Sequence, residues 1–310
     1  MRTLKKLVAI LVIVGLAGAA AGWILTVPET LSKTQIADLP AGDPVNGELL
    51  FWAGGCASCH AAPGATGDDK LLLGGGLKLE TPFGVFVAPN ISSDQEDGIG
   101  GWSKVDFANA MLTGTSPQGS HLYPAFPYTS YARMTLSDVA DLYAFMTFLP
   151  AVSGKAAAHE LGFPFNIRRG LGLWKLLNLS SEPVVSTPAA GSDVDPDLWQ
   201  RGRYLVEGPG HCGECHTPRD LMGGLDKSRW LSGAAAATGE GRVPGLDPES
   251  DVGSWSAADI AYYLESGFTP EYDSVGGEMV SVQENMARLP ASDREAIAVY
   301  LKAFPAAGTN

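Results

Sequence analysis

Cysteine is scarce, with four residues in 310. That excludes the dense disulfide framework that staples many small secreted domains. Basic residues are also in deficit, 21 Lys and Arg against 34 Asp and Glu, giving a net charge of −13. No nucleic acid partner is expected, because phosphate recognition relies on clustered Lys and Arg. An acidic surface could instead steer a basic protein at a salt-dependent rate, or simply keep the chain soluble.

The cysteines that do occur follow one pattern. "CASCH" spans 56–60 and "CGECH" spans 212–216, so every cysteine belongs to a Cys-x-x-Cys-His motif. A zinc ribbon sets its cysteine pairs roughly 15–20 residues apart, whereas these pairs begin at Cys56 and Cys212. A thioredoxin-type site expects a βαβ setting, and no strand–helix alternation flanks either copy. Cys-x-x-Cys-His is the signature of c-type haem attachment. Two thioethers clamp the porphyrin edge, and the next residue is aimed at the iron as proximal ligand. The expectation is two covalently bound haem c groups, one on Cys56 and Cys59 with His60, the other on Cys212 and Cys215 with His216.

Covalent haem attachment takes place outside the bacterial cytoplasm, and the N-terminus agrees. Arg2, Lys5 and Lys6 precede an uncharged run from Leu7 to Val27. At 1.5 Å per residue this run is long enough to cross a hydrocarbon core of about 30 Å. The basic flank stays cytoplasmic, so the remainder faces the periplasm from the inner membrane. A cleaved signal peptide is the alternative, since "AGAAAG" offers small residues for cleavage. The length of the run, and Trp23, Ile24 and Leu25 beyond those alanines, favour an uncleaved anchor.

The rest of the chain reads as an internal duplication. "GWSKVDFANAMLTGTSP" recurs as "SWSAADIAYYLESGFTP", aligning Trp102 with Trp255, and "DLYAFMTFLP" recurs as "AVYLKAFP". In each copy a helical pattern leads to the cysteine motif and is stopped by glycine, Gly54 and Gly55 in one and Gly208 with Pro209 in the other. Ser103 with Asp106 and Ser256 with Asp259 have the spacing of capping boxes. Each copy ends in an amphipathic helix, with Val139, Leu142, Tyr143 and Met146 on one face and Ile297, Tyr300, Leu301 and Phe304 on the other copy's face. Pro150 and Pro305 close them. The predicted architecture is all-α: residues 1–30 as membrane anchor or signal-anchor, 42–152 as a first haem domain, 153–192 as a linker, and 193–306 as a second haem domain.

The sixth iron ligand separates a carrier from a catalyst. Met111 and Met146 lie at helix-core positions. Met134, in a loop just ahead of the terminal helix, sits where a mono-haem domain of this type donates its methionine. In the second copy both Met279 and Met286 are candidates, and repeat alignment puts Leu289 opposite Met134. Histidine offers few rivals. His211 directly precedes Cys212 and is poorly placed to reach the distal face; His121 is expected to bond a propionate or a loop carbonyl; His159 falls between the copies, where solvation is expected. Methionine ligation keeps iron low-spin and raises its potential, which suits electron transfer.

The stretches "FWAGGCASCHA", "TPFGVFVAPNISSDQEDGIGGWS", "GSHLYPAFPYTSYARMT" and "GHCGECHTPRD" resemble the cytochrome c subunits of membrane-bound bacterial alcohol and sugar dehydrogenases. Those subunits are class I-type cytochromes that take electrons from a quinoprotein, flavoprotein or molybdenum enzyme, and often carry three haems where this chain has two motifs. The resemblance implies two tandem class I cytochrome c domains, with Met134 and Met279 as axial ligands. It also implies a periplasmic dehydrogenase catalytic subunit as electron donor, and the quinone pool, a cytochrome bc complex or a terminal oxidase as acceptor. One departure is that the second copy of "APNI" reads "VPGLDPE", without the equivalent of Asn90. A dihaem peroxidase-type enzyme is the alternative function; it needs an open or histidine-bound sixth position, whereas a methionine is available for each iron. The basic, apolar segment "FNIRRGLGLWKLLNL" (165–179) either lies on the membrane, docks the dehydrogenase, or packs between the two domains.

Overall fold

Side-chain caps and prolines set where the helices begin. The computed structural model describes residues 2–236 and 241–305. Residue 1 of the expected anchor and residues 237–240 and 306 of the expected second domain lie outside the described residues. In the first half of the chain the helices are α1 (Arg2–Leu25), α2 (Lys33–Ala37), α3 (Pro44–Ala53), α4 (Cys56–His60), α5 (Lys104–Thr113), α6 (Tyr128–Tyr131) and α7 (Leu136–Met146). After these come α8 (Leu171–Asn178), α9 (Pro196–Glu207), α10 (Gly213–His216), α11 (Asp251–Ser254), α12 (Ala257–Ser266), α13 (Met279–Met286) and α14 (Ala291–Ala303).

The two halves use the same local chemistry. Asp43 caps α3 and Asp195 caps α9, each ahead of a proline at the first helical position, where a missing N–H costs nothing. Ser103 with Asp106 and Ser256 with Asp259 form reciprocal capping boxes on α5 and α12. Both helices end on a left-handed glycine, Gly114 and Gly267.

Each half buries its own core. Leu50, Phe51, Phe107, Val139 and Leu142 meet in the first, and Trp199, Leu205, Ile260, Ile297 and Tyr300 in the second. The crossing of α3 on α7 depends on Gly47, where a Cβ would lie 2.0 Å from the Asp141 carbonyl oxygen and 2.8 Å from the Phe145 Cβ. At the crossing of α9 on α14 the same role falls to Gly202, 1.9 Å from the Ala296 oxygen and 2.8 Å from the Tyr300 Cβ. Only a residue without a side chain allows backbones this close. Ala53 at the end of α3 belongs to the second core, so the halves abut directly.

The fold is helical, with a small sheet content that an all-α reading omits. Strands β1 (Lys78–Thr81), β2 (Gly84–Val87) and β3 (Glu160–Leu161) form an antiparallel sheet in that order, Lys78 opposite Val87 and Val85 opposite Glu160. Strands β4 (Ala234–Ala235) and β5 (Arg242–Val243) pair separately. Gly84, at φ +122°, makes the first sheet possible, because a side chain there would meet the Glu160 oxygen at 2.5 Å. His159, just before β3, is not solvated as its position between the copies suggested. Its ring is half-buried edge-on to Phe86 and Tyr123, and Nδ1 accepts from the Val87 N–H at 3.1 Å.

Candidate haem-attachment sites

Each cysteine motif forms a single helical turn held at a tight corner. Gly55, left-handed at φ +57°, turns the chain from α3 into α4. In the second motif the same position is His211, a non-glycine residue at φ +39°. Such a conformation is strained for a side chain. What holds it is a hydrogen bond between Nε2 and the Gly54 carbonyl at 3.1 Å, with the ring edge-on to Tyr131.

The proximal histidines are oriented identically. His60 Nδ1 donates to the Pro89 carbonyl at 2.8 Å, and His216 Nδ1 donates to the Pro244 carbonyl at 2.8 Å. This bond fixes the tautomer and leaves the Nε2 lone pair free to bind a metal. Burial lowers the pKa of both rings, which favours the neutral ligand form. Asn90, which the second copy lacks, makes its side-chain hydrogen bonds away from the histidine, its Oδ1 accepting from the Ser92 N–H. Its Nδ2 donates to Val152 and Gly154 oxygens, closing the chain after α7, and takes no part in orienting His60.

Burial keeps the thiols in their neutral form. Burial, reinforced by Cys59, pushes the Cys56 thiol up to about 12, and burial with Cys215 does the same for Cys212. Exchange and zinc binding both need thiolate. Nor, among the described residues, do three or more His, Cys, Asp or Glu side chains gather as a metal site. The paired thiols and the free histidine nitrogen of each motif fit a porphyrin, which would use one histidine nitrogen per motif.

Met134 is buried in the first core, in one cluster with Ala57 and Ala61 beside the first motif. Its N–H donates to the Tyr131 oxygen at 2.8 Å; in the other half the Leu289 N–H donates to the Met286 oxygen at 3.1 Å. Leu289 therefore holds the place of Met134, and Met286 the place of Tyr131. Met286 is buried in the second core, while Met279 opens α13 half-buried against the same cluster as Cys212. Of the spare histidines, His211 sits at the corner of the second motif, and His121 and His159 lie elsewhere. His121 is buried with Nε2 on the Thr26 carbonyl at 2.9 Å, meeting the expectation of a carbonyl partner.

Sequence reading did not anticipate how the motifs meet. Ser58 lies inside the first motif and Glu214 at the same place in the second. Asn285 Nδ2 donates to Ser58 Oγ at 2.9 Å, and Ser130 Oγ donates to Glu214 Oε1 at 3.0 Å, joined by Thr129 at 2.9 Å. Ser130 and Asn285 are themselves equivalent, each one residue before Tyr131 or Met286. Each motif is thus held by the other half in a reciprocal arrangement. Burial raises the pKa of both Cys59 and Cys215, reinforced at both by Glu278 and at Cys215 also by Glu214 and Cys59. Burial disfavours the Glu214 carboxylate, but Arg219 at 2.6 Å, Thr129 and His211 outweigh it and hold its pKa below the usual value. The repeat alignment contained a signal for this pairing, a polar residue at both equivalent positions.

These features define a haem-binding electron carrier. The cytochrome c family profile matches residues 44–149. A diheme cytochrome c-type protein of Cereibacter sphaeroides is 52% identical over 302 residues, covering 97% of this chain and 99% of that protein. The chain belongs to the cytochrome c family. The fructose dehydrogenase cytochrome subunit of Gluconobacter japonicus is 37% identical over 84% of this chain and 52% of its own length. The gluconate 2-dehydrogenase cytochrome c subunit of Pantoea cypripedii is 35% identical over 89% of this chain and 63% of its own. The chain thus spans roughly half to two thirds of those two subunits. Like such subunits, it is an electron-transfer component and not an enzyme in itself.

Proposed function

We propose that the chain is a membrane-anchored, periplasm-facing dihaem cytochrome c that passes single electrons from a dehydrogenase oxidising an alcohol, aldehyde or sugar to the respiratory chain. Residues 42–152 and 193–306 are two class I domains derived by duplication and joined by 153–192. Cys56 and Cys59 hold one haem and Cys212 and Cys215 the other. His60 with Met134, and His216 with Met279, are the axial pairs. The matched bonds from His60 to Pro89 and from His216 to Pro244 carry this reading, since they present two equally prepared ligands.

Haem iron supplies reversible one-electron chemistry when bound, and the protein decides its ligands, its burial and its neighbours. Methionine sulfur at both sites raises the potential and closes the sixth position. Met279 is preferred to Met286 because the resemblance to dehydrogenase cytochrome c subunits implies it, and it lies half-buried against the cluster that includes Cys212. The contact of His211 with Gly54 links residues one and two positions before the two attachment cysteines, a short route between sites. Relatives that serve fructose and gluconate dehydrogenases support a dehydrogenase as donor. For the anchor, α1 is long and apolar enough to cross a membrane, and no residue in its window is buried.

Deleting the chain should abolish oxygen uptake driven by the donor's substrate while the donor still reduces an artificial dye. Undiminished respiration in the deletion strain, or oxidation of an alcohol, aldehyde or sugar by the purified chain at enzymatic rates of roughly 1–1000 per second, would overturn the proposal.

A further inference from the structure

Helix α8 is inside out for a water-soluble protein. Leu173, Leu176 and Leu177, at i, i+3 and i+4, form an exposed stripe, with Leu177 87% exposed, while Lys175 between them is only 8% exposed. The lysine is turned inward because its Nζ donates to the Thr113 and Gly114 carbonyls at 2.7 Å each, at the C-terminus of α5 where a cation is favoured. Charge has gone in and leucine has gone out.

The stripe is part of a larger apolar surface. Phe163 and Ile167 are exposed just before α8, and Leu221, 98% exposed, and Met222 project from the loop after the second motif. Trp174 Nε1 donates to the Met222 oxygen at 2.9 Å, and Phe165 packs edge-on to Phe83, which faces Gly223. Residues from both halves therefore contribute to one patch. A contiguous patch of this kind marks an interaction site.

Its neighbour identifies the occupant. Gly172 packs directly on Thr26 at the end of α1, where a Cβ would lie 2.6 Å from the Thr26 Cα. The Arg169 guanidinium stacks 4.3 Å over Trp23 and donates to Thr26 Oγ1 at 2.9 Å. The patch thus begins where the apolar helix ends, beside a tryptophan of the type that sits at membrane interfaces. From 161 to 181 the ionisable side chains are Arg168, Arg169 and Lys175, with no acid, in a chain of net charge −13. An exposed apolar stripe preceded by the basic pair Arg168 and Arg169 suits the lipid interface.

We propose that α8 with residues 163–167 and 221–222 lies in the lipid interface of the bilayer that α1 enters, so that the two haem domains rest on the membrane instead of hanging from a tether. The inference rests on the anchoring reading above, and one experiment separates them. Nitroxide labels are placed on Val12→Cys, Leu177→Cys, Leu221→Cys and Glu249→Cys in the full-length, haem-loaded protein. Each is reconstituted in vesicles of phosphatidylcholine with phosphatidylglycerol, and collisions with oxygen are compared against a water-soluble nickel chelate. Labels at 12, 177 and 221 should favour oxygen several-fold over the chelate, relative to 249. If 12 favours oxygen while 177 and 221 match 249, the anchor stands and the inference is wrong. Lipid signals at 177 and 221 with an aqueous 12 would remove the anchor and overturn the inference in its stated form, leaving only lipid contact by α8; aqueous signals at all three would remove both. Shielding of 177 and 221 from both reagents would indicate a protein contact and also overturn it.

Discussion

Replacing Gly47 with alanine tests whether the crossing of α3 on α7 holds the first core together. The new methyl would lie 2.0 Å from the Asp141 oxygen, 2.6 Å from its carbon and 2.8 Å from the Phe145 Cβ, where 3.4–4 Å is ordinary contact. None of these neighbours is the free end of a flexible chain, so the helices must move apart by more than about an ångström. Overpacking of this kind costs about 1–3 kcal/mol, and the separation also loosens Leu50, Phe51, Val139 and Leu142. A loss near the upper end, about 3 kcal/mol, corresponds to a fall of about 12–24 °C in melting temperature for a domain near 100 residues. Gly202→Ala should do the same to the second core, since the Ala296 oxygen lies at 1.9 Å. Gly162, with open space around it and an ordinary backbone, is the control; alanine there should change stability by less than about 0.5 kcal/mol. Melting followed by circular dichroism, with limited proteolysis to identify the half that opens first, reads the outcome. A Gly47→Ala protein that melts within a few degrees of the parent, or that opens its second half first, would refute the reasoning.

Exchanging sulfur for imidazole in Met134→His should lower one of two reduction potentials and remove part of the weak near-infrared absorption that marks methionine bound to ferric iron; potentiometry that finds both potentials unmoved would exclude Met134 as a ligand. Met279→Ala should remove the other part of that absorption and Met286→Ala should leave it, and the opposite result would reassign the second ligand. Because the Glu214 pKa is held below its unfolded value, its ionised form stabilises the contact between the halves above the unfolded carboxylate range, and that stability is lost as pH falls through the folded pKa. Acid titration of the melting temperature should therefore show a steeper fall below about pH 4.5 in the parent than in Glu214→Gln, and parallel curves would contradict the assignment.

How far these features could be read in advance depends on how local their causes are. The capping boxes at Ser103 and Ser256 and the faces of the terminal helices were legible, because each rests on residues within one or two turns. The hairpin at Lys78–Val87 was not, since it is completed by Glu160 far along the chain. His159 escaped for a related reason. Its aromatic surroundings come from Phe86 and Tyr123, and its place between the copies gave no hint of them. For the expected haem sites, the repetition of one motif that uses every cysteine pointed to Cys56, Cys59, His60, Cys212, Cys215 and His216 as candidates. A proline does recur at Pro89 and Pro244 in the aligned copies, but that its carbonyl would orient the histidine depends on the folded loop. The clasp of Ser58 by Asn285 crosses 227 positions and depends on how the halves meet, which no periodicity encodes.

The central claim is that each Cys-x-x-Cys-His motif attaches its own haem. Intact-mass spectrometry under denaturing conditions, on the full chain and on two double variants, tests it most directly. The account predicts two haems on the parent chain, and one each on Cys56→Ala with Cys59→Ala and on Cys212→Ala with Cys215→Ala. Two covalent haems on either variant, or fewer than two on the parent matured in its native compartment, would contradict it.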